Sequence, residues 1–119
     1  MSTPEAKVKK MVKDVLAEFS EAIKRPAGGT SVSSYTVETL YQFWPVPSGF
    51  GASSLDCLVC YYGVAIYIET KAPGKGPTPR QEFTIAQIKS AGGLVFVIDG
   101  PQGCEQLRSA LTLIRFSNK

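Results

Sequence analysis

The 119-residue chain contains no histidine. That absence removes Ser-His and Cys-His nucleophile pairs, histidine-ligated zinc and histidine general bases together. Chemistry here must run on carboxylates, lysine, thiols or a metal held by oxygen. Cysteine is scarce and odd in number: Cys57, Cys60 and Cys104. The N-terminus opens on a charged, helix-forming stretch with no secretory pattern, so these read as free thiols in a reducing, cytoplasmic setting. Cys57-x-x-Cys60 lies in a strand-like run, where residues three apart face opposite ways. No second pair completes a zinc site, and both are read as core thiols. Long hydrophobic runs are missing as well. The longest, residues 55–68, is broken by Asp56 and Gly63 and is too short to span a bilayer, so no membrane partner is expected. Strong charge asymmetry is also absent. Thirteen Lys+Arg against ten Asp+Glu give +3, which permits an anionic partner without demanding one.

What is present suits one globular domain over residues 1–119, with 44% apolar residues able to build a core. Val8, Met11, Val12, Val15, Leu16, Phe19 and Ile23 recur at three- and four-residue steps and predict an amphipathic helix over residues 4–25. Residues 26–34 and 45–54 read as loops, the latter glycine-rich. Residues 35–44 suggest a first strand. Residues 55–61 and 64–71 are strand-like and joined by Tyr62-Gly63, which fits a two-residue hairpin turn. A helix is predicted over residues 78–90, a buried strand over residues 94–99 and a last helix over residues 102–115. The class is therefore α/β: a mixed sheet, an antiparallel meander plus one parallel strand, flanked by α-helices. The strand-helix-strand unit at residues 64–99 supplies the parallel pair.

The informative step is one of register. A turn at Tyr62-Gly63 pairs Tyr61 with Val64 and, counting outward, Asp56 with Glu69. The two carboxylates then face each other across the strand pair, an arrangement that like charges disfavour. A cation between them removes the penalty. Lys71, two residues beyond Glu69, projects from the same face. Two carboxylates and an ammonium suit Mg²⁺ or Mn²⁺, hard cations that keep waters and meet phosphate oxygens. The lysine can orient a water or stabilise a pentavalent charge. The plain alternative is an exposed strand end with an ordinary Glu-x-Lys. A one-residue change in the loop would set Leu55 or Cys57 opposite Glu69 and undo the pairing.

Residues 51–56 (GASSLD), 68–75 (IETKAPGK), 77–81 (PTPRQ) and 91–93 (AGG) together resemble the VRR-NUC domain. That family belongs to the PD-(D/E)xK nucleases, which have a restriction-endonuclease-like core. The likeness spans nearly the whole chain. It implies metal ligation by Asp56, Glu69 and the backbone carbonyl of Thr70, with Lys71 as the catalytic lysine. Gln81 matches a glutamine near the site, and Glu5 an acidic residue on the first helix that completes the acidic cluster. Leu55 stands where the family usually has a proline, a residue that shapes the chain and binds no metal. The resemblance implies a stand-alone, phage- or bacterium-encoded, metal-dependent DNA endonuclease. It would act as a homodimer on branched DNA such as four-way junctions, with no small-molecule cofactor. The alternatives are a non-catalytic DNA-binding module of the same fold and a nuclease active only with a partner protein. Ser2 to Glu5 and Thr78 to Gln81 also have capping-box spacing, which offers each acceptor a purely structural role.

Gly74-Lys75-Gly76 lacks the lead and the Ser/Thr of a P-loop. It reads instead as a basic loop in which Lys75, with Arg80, touches DNA phosphate. Tyr41, Phe43 and Trp44 read as core before base-stacking platform, or as a dimer interface if exposed at an edge.

Overall fold

The computed structural model describes residues 2–26, 34–45 and 55–118. The first helix, α1 (Pro4–Phe19), starts where Thr3 Oγ1 accepts the Ala6 N–H at 3.0 Å and Pro4 occupies the first turn. Its apolar stripe of Val8, Val12, Val15, Leu16 and Phe19 is buried. The helix stops six residues short of the predicted end. Ser20 is extended there, and its hydroxyl donates to Glu38 at 2.8 Å. Ile23 continues the helical spacing, yet it sits in β1 (Ala22–Pro26), opposite Val37 of β2 (Ser34–Glu38). Being β-branched, it suits a strand at least as well. The single strand predicted over residues 35–44 is likewise divided. Thr39 gives its backbone N–H to the Glu21 carbonyl and accepts the Glu21 N–H on Oγ1, and β3 (Leu40–Phe43) begins beyond it. The loops read at residues 26–34 and 45–54 fall mainly outside the described residues.

β4 (Cys57–Tyr61), β5 (Val64–Thr70) and β6 (Leu94–Ile98) complete a four-stranded sheet in the order β3-β4-β5-β6, with β5 and β6 parallel and the other pairs antiparallel. The crossover is α2 (Pro79–Ser90), and α3 (Pro101–Ser117) follows β6. The class is therefore α/β with a mixed sheet, as predicted, together with the separate two-stranded β1-β2 sheet. One sheet face meets α1 and α3: Val59, Tyr61, Ile66, Ile68 and Ile98 pack with Val12, Leu16, Leu107 and Leu111. Arg115 of α3 bridges layers, donating to the Tyr61 hydroxyl at 3.0 Å and to the Phe19 carbonyl at 3.2 Å.

The opposite face is thinly covered. α2 has no buried residue, and its Ile88 and Tyr67 of β5 both crowd Gly93, where an added Cβ would lie 2.6 Å and 3.3 Å from them. This corrects the expectation of a buried final strand. Of β6 only Ile98 is buried, and Val97, which pairs with Glu69 on this face, is 37% exposed, because β6 is an edge strand that neighbours cover incompletely. The same face corrects the cysteine reading: Cys57 is buried but Cys60 is exposed. Among the described residues no helix is long and apolar enough to cross a membrane.

Tyr62 (φ 49°) and Gly63 (φ 78°) both have positive φ, the backbone of a type I′ hairpin. A Cβ on Gly63 would meet nothing within 4 Å. Gly63→Ala is therefore expected to cost only the left-handed backbone penalty, about 1 kcal/mol, read as a shift in the urea midpoint at unchanged slope. A neutral result would show that the turn can relax to another type.

Candidate active site

The hairpin register carries the site. β4 and β5 pair Tyr61 with Val64 and Cys57 with Ile68, and one step further Asp56 reaches Glu69. The Asp56 N–H donates to Glu69 Oε1 at 3.2 Å. Asp56 Oδ2 in turn accepts both the Thr70 N–H, at 2.8 Å, and the Thr70 hydroxyl, at 2.7 Å. Each acid is thus fastened to the other's strand. Among the described residues Asp56 Oδ1 has no hydrogen-bond partner.

Glu69 is 2% exposed. Its Oε2 accepts from Gln81 Nε2 at 2.7 Å and lies 3.3 Å from Lys71 Nζ. Lys71 is held at the end of β5 by its own N–H, which donates to the Ile98 carbonyl at 2.9 Å. All three polar groups around Glu69 are donors, so the position calls for an ionised carboxylate. Burial nevertheless raises its pKa above the ordinary 4.5. The Asp56 charge adds to that rise, while Lys71 and the Asp56 N–H oppose it.

The two readings of Gln81 hold at once. Thr78 caps α2: its hydroxyl accepts the Gln81 N–H at 3.2 Å, and Gln81 Oε1 accepts the Thr78 N–H at 3.0 Å. The capping box aims the remaining amide nitrogen at Glu69. One side chain both starts the helix and positions a carboxylate.

Glu5 behaves differently. It lies half-exposed in the first turn of α1. Thr3, not Ser2, caps that helix, so the predicted Ser2–Glu5 box does not form. Among the described residues no three His, Cys, Asp or Glu side chains cluster closely enough to hold a metal ion. The structure therefore joins Asp56, Glu69, Lys71 and Gln81 but not Glu5. Lys75 and Arg80 are exposed on either side of the turn into α2.

Asp99 escaped the sequence reading. Its Oδ2 accepts the Gly74 N–H at 3.0 Å and pins the loop that carries Lys75. Parallel strands bring their C-terminal ends together, so an aspartate just beyond β6, level with the end of β5, was the available signal.

No family model, curated protein or solved structure matches the chain.

A folded pKa above the unfolded value means that Glu69 contributes stability fully present below the ordinary glutamate value. That contribution is lost as pH rises through the folded value. In EDTA the melting temperature is expected to decline across that window. Gln81→Met, which removes the Nε2 donor from a buried carboxylate, should cost about 2 kcal/mol at neutral pH and less once Glu69 is protonated. Chemical denaturation at two pH values checks both statements. An equal cost at both would mean that the substitution acts through the cap alone.

Proposed function

We propose that this chain is a divalent-metal-dependent DNA endonuclease with a restriction-endonuclease-like core. The observation that carries the reading is the pairing of Asp56 with buried Glu69, 3.3 Å from the Lys71 ammonium. Like carboxylates so placed are costly for folding alone, and sites that break stability rules in this way are candidates for function. The VRR-NUC resemblance of the surrounding motifs supports the same conclusion.

The donor set fits a hard cation. Asp56 and Glu69 offer carboxylate oxygens, Asp56 Oδ1 lacks a hydrogen-bond partner among the described residues, and the Thr70 carbonyl follows directly in sequence. Asp56, Glu69 and Thr70 would hold Mg²⁺ or Mn²⁺, which supplies Lewis acidity toward a phosphodiester and acidifies water. Thr70 fixes the aspartate through its N–H and hydroxyl. Gln81 fixes the glutamate from α2, so neither acid must reorganise when substrate arrives. Lys71, beside Glu69 and largely shielded from bulk water, can orient a nucleophilic water or stabilise charge on the phosphorane. Exposed Lys75 and Arg80 can contact phosphates of the bound strand. Following the resemblance, we also propose a homodimer with structure-selective cleavage of branched DNA. Glu5 is not part of the ligand set proposed.

The test is incubation with plasmid, flap and four-way-junction DNA in Mg²⁺, Mn²⁺ or EDTA. Metal-dependent cleavage is expected, reduced roughly 100- to 1,000-fold in Lys71→Ala and lost in Asp56→Ala. DNA binding without cleavage in either metal would identify an inert binding module. Full activity of Asp56→Ala would remove the assignment.

A further inference from the structure

The sheet face that bears Asp56 and Glu69 continues across β4 to β3, beyond the part that α2 covers. The registers define its rows. Asp56 and Glu69 form one. Phe43, Leu58 and Tyr67 form the next, and Tyr41, Cys60 and Ala65 the one after. Tyr41 is 58% exposed and Phe43 50% exposed; Cys60 and Ala65 beside Tyr41 are open to solvent, and half-buried Leu58 and Tyr67 lie between Phe43 and the acids. Tyr41, Phe43 and Cys60 were read from sequence as core, and the structure exposes all three, while Trp44 is half-buried and packs against the core as expected. The two outer rows contain no charged side chain. The cations Lys71, Lys75 and Arg80 belong instead to the chain that leaves β5 and enters α2.

We propose that Tyr41 and Phe43 form a stacking platform for unpaired nucleotides of the DNA strand held at the Asp56–Glu69 pair. The inference rests on the nuclease reading above and narrows its substrate class: flaps, forks and single strands in preference to fully paired DNA. Charge complementarity selects this occupant. A nucleic-acid strand presents phosphates, which match the cationic end, and bases, which match the apolar aromatic end. Strand spacing and rise place Phe43 roughly 12 Å from Glu69, within reach of nucleotides close to the cut. Bases within a duplex are already stacked on each other and cannot lie on a protein ring, whereas splayed bases can. A second copy of the chain on this edge strand is the competing occupant, and the oligomeric state measured below decides between them.

The molecule supplies its own reporter. Cys57 and Cys104 are buried, with the Cys57 thiol pushed up to about 12 by burial, and Cys60 alone is exposed. Iodoacetamide should therefore alkylate Cys60 selectively, on the strand next to the platform and paired with Tyr41. The full chain in EDTA, where it cannot cut, is mixed with oligothymidylate or with a blunt duplex of equal length.

The expected result is that oligothymidylate slows Cys60 alkylation several-fold and the duplex does not. A Tyr41→Ser/Phe43→Ser double variant should bind oligothymidylate roughly 5- to 100-fold more weakly. Its melting temperature and duplex affinity should be unchanged, and Tyr41→Phe/Phe43→Tyr should restore binding. Equal protection by duplex, or unchanged oligothymidylate affinity in the double variant, overturns the inference. So does conversion of a dimer to a monomer, by sedimentation, with binding intact, since the face would then be a self-interface. Protection without any cleavage would leave this inference standing and remove the nuclease reading; cleavage without protection would do the reverse.

Discussion

A two-residue turn whose residues both have positive φ leaves β4 and β5 no freedom of register. With Tyr62 and Gly63 in that conformation, Tyr61 must meet Val64, and the ladder runs from there to Cys57 and Ile68. Asp56 then has one possible neighbour across the hairpin. Everything distinctive about the site follows: the acids face each other, Thr70 comes into reach of Asp56, and Lys71 emerges beside Glu69. A slip of one residue would send Glu69 to the face packed by α1 and α3. Because that face is lined with Val59, Ile66 and Ile68, core burial itself resists the slip. The apolar side of the sheet thus specifies the polar side.

The arrangement holds an unfavourable pairing within a favourable framework. Burial and the Asp56 charge both oppose ionisation of Glu69, yet every polar neighbour requires an acceptor there. Its oxygens meet an N–H, an amide and an ammonium. The surrounding structure therefore supports a charge that it also disfavours. Gln81 shows how few residues this takes, since the geometry that caps α2 also directs the Glu69 donor. Asp99 extends the economy by anchoring the Lys75 loop.

Short-range features were legible in the sequence. The hairpin, α2 and α3 depend on turn chemistry, capping and periodicity within each segment, and the acidic pair followed from counting. Features that depend on what covers an element were not. Ile23 fits helical and strand spacing alike, and only the pairing with Val37 decides between them. The apolar run of β6 suggested burial on both faces, but α2 buries none of its own residues. Tyr41, Phe43 and Cys60 looked like core for the same reason: the strand pattern shows alternation but not which face lacks a lid. Glu5 needed a long-range juxtaposition, and nothing near it in sequence could establish one.

The parallel join of β5 to β6 gives the site an order of assembly. Hairpins close locally and fast, whereas pairing across a helical crossover must wait for a longer loop to close. The β4–β5 hairpin can thus bring Asp56 and Glu69 together before α2 delivers Gln81, and before β6 offers the Ile98 carbonyl to Lys71. During that interval the two acids confront each other without all their eventual partners. The late docking of the crossover is then the step that completes the Asp56–Glu69–Lys71–Gln81 cluster, so a chain stalled earlier carries the opposed charges without the donors that hold them.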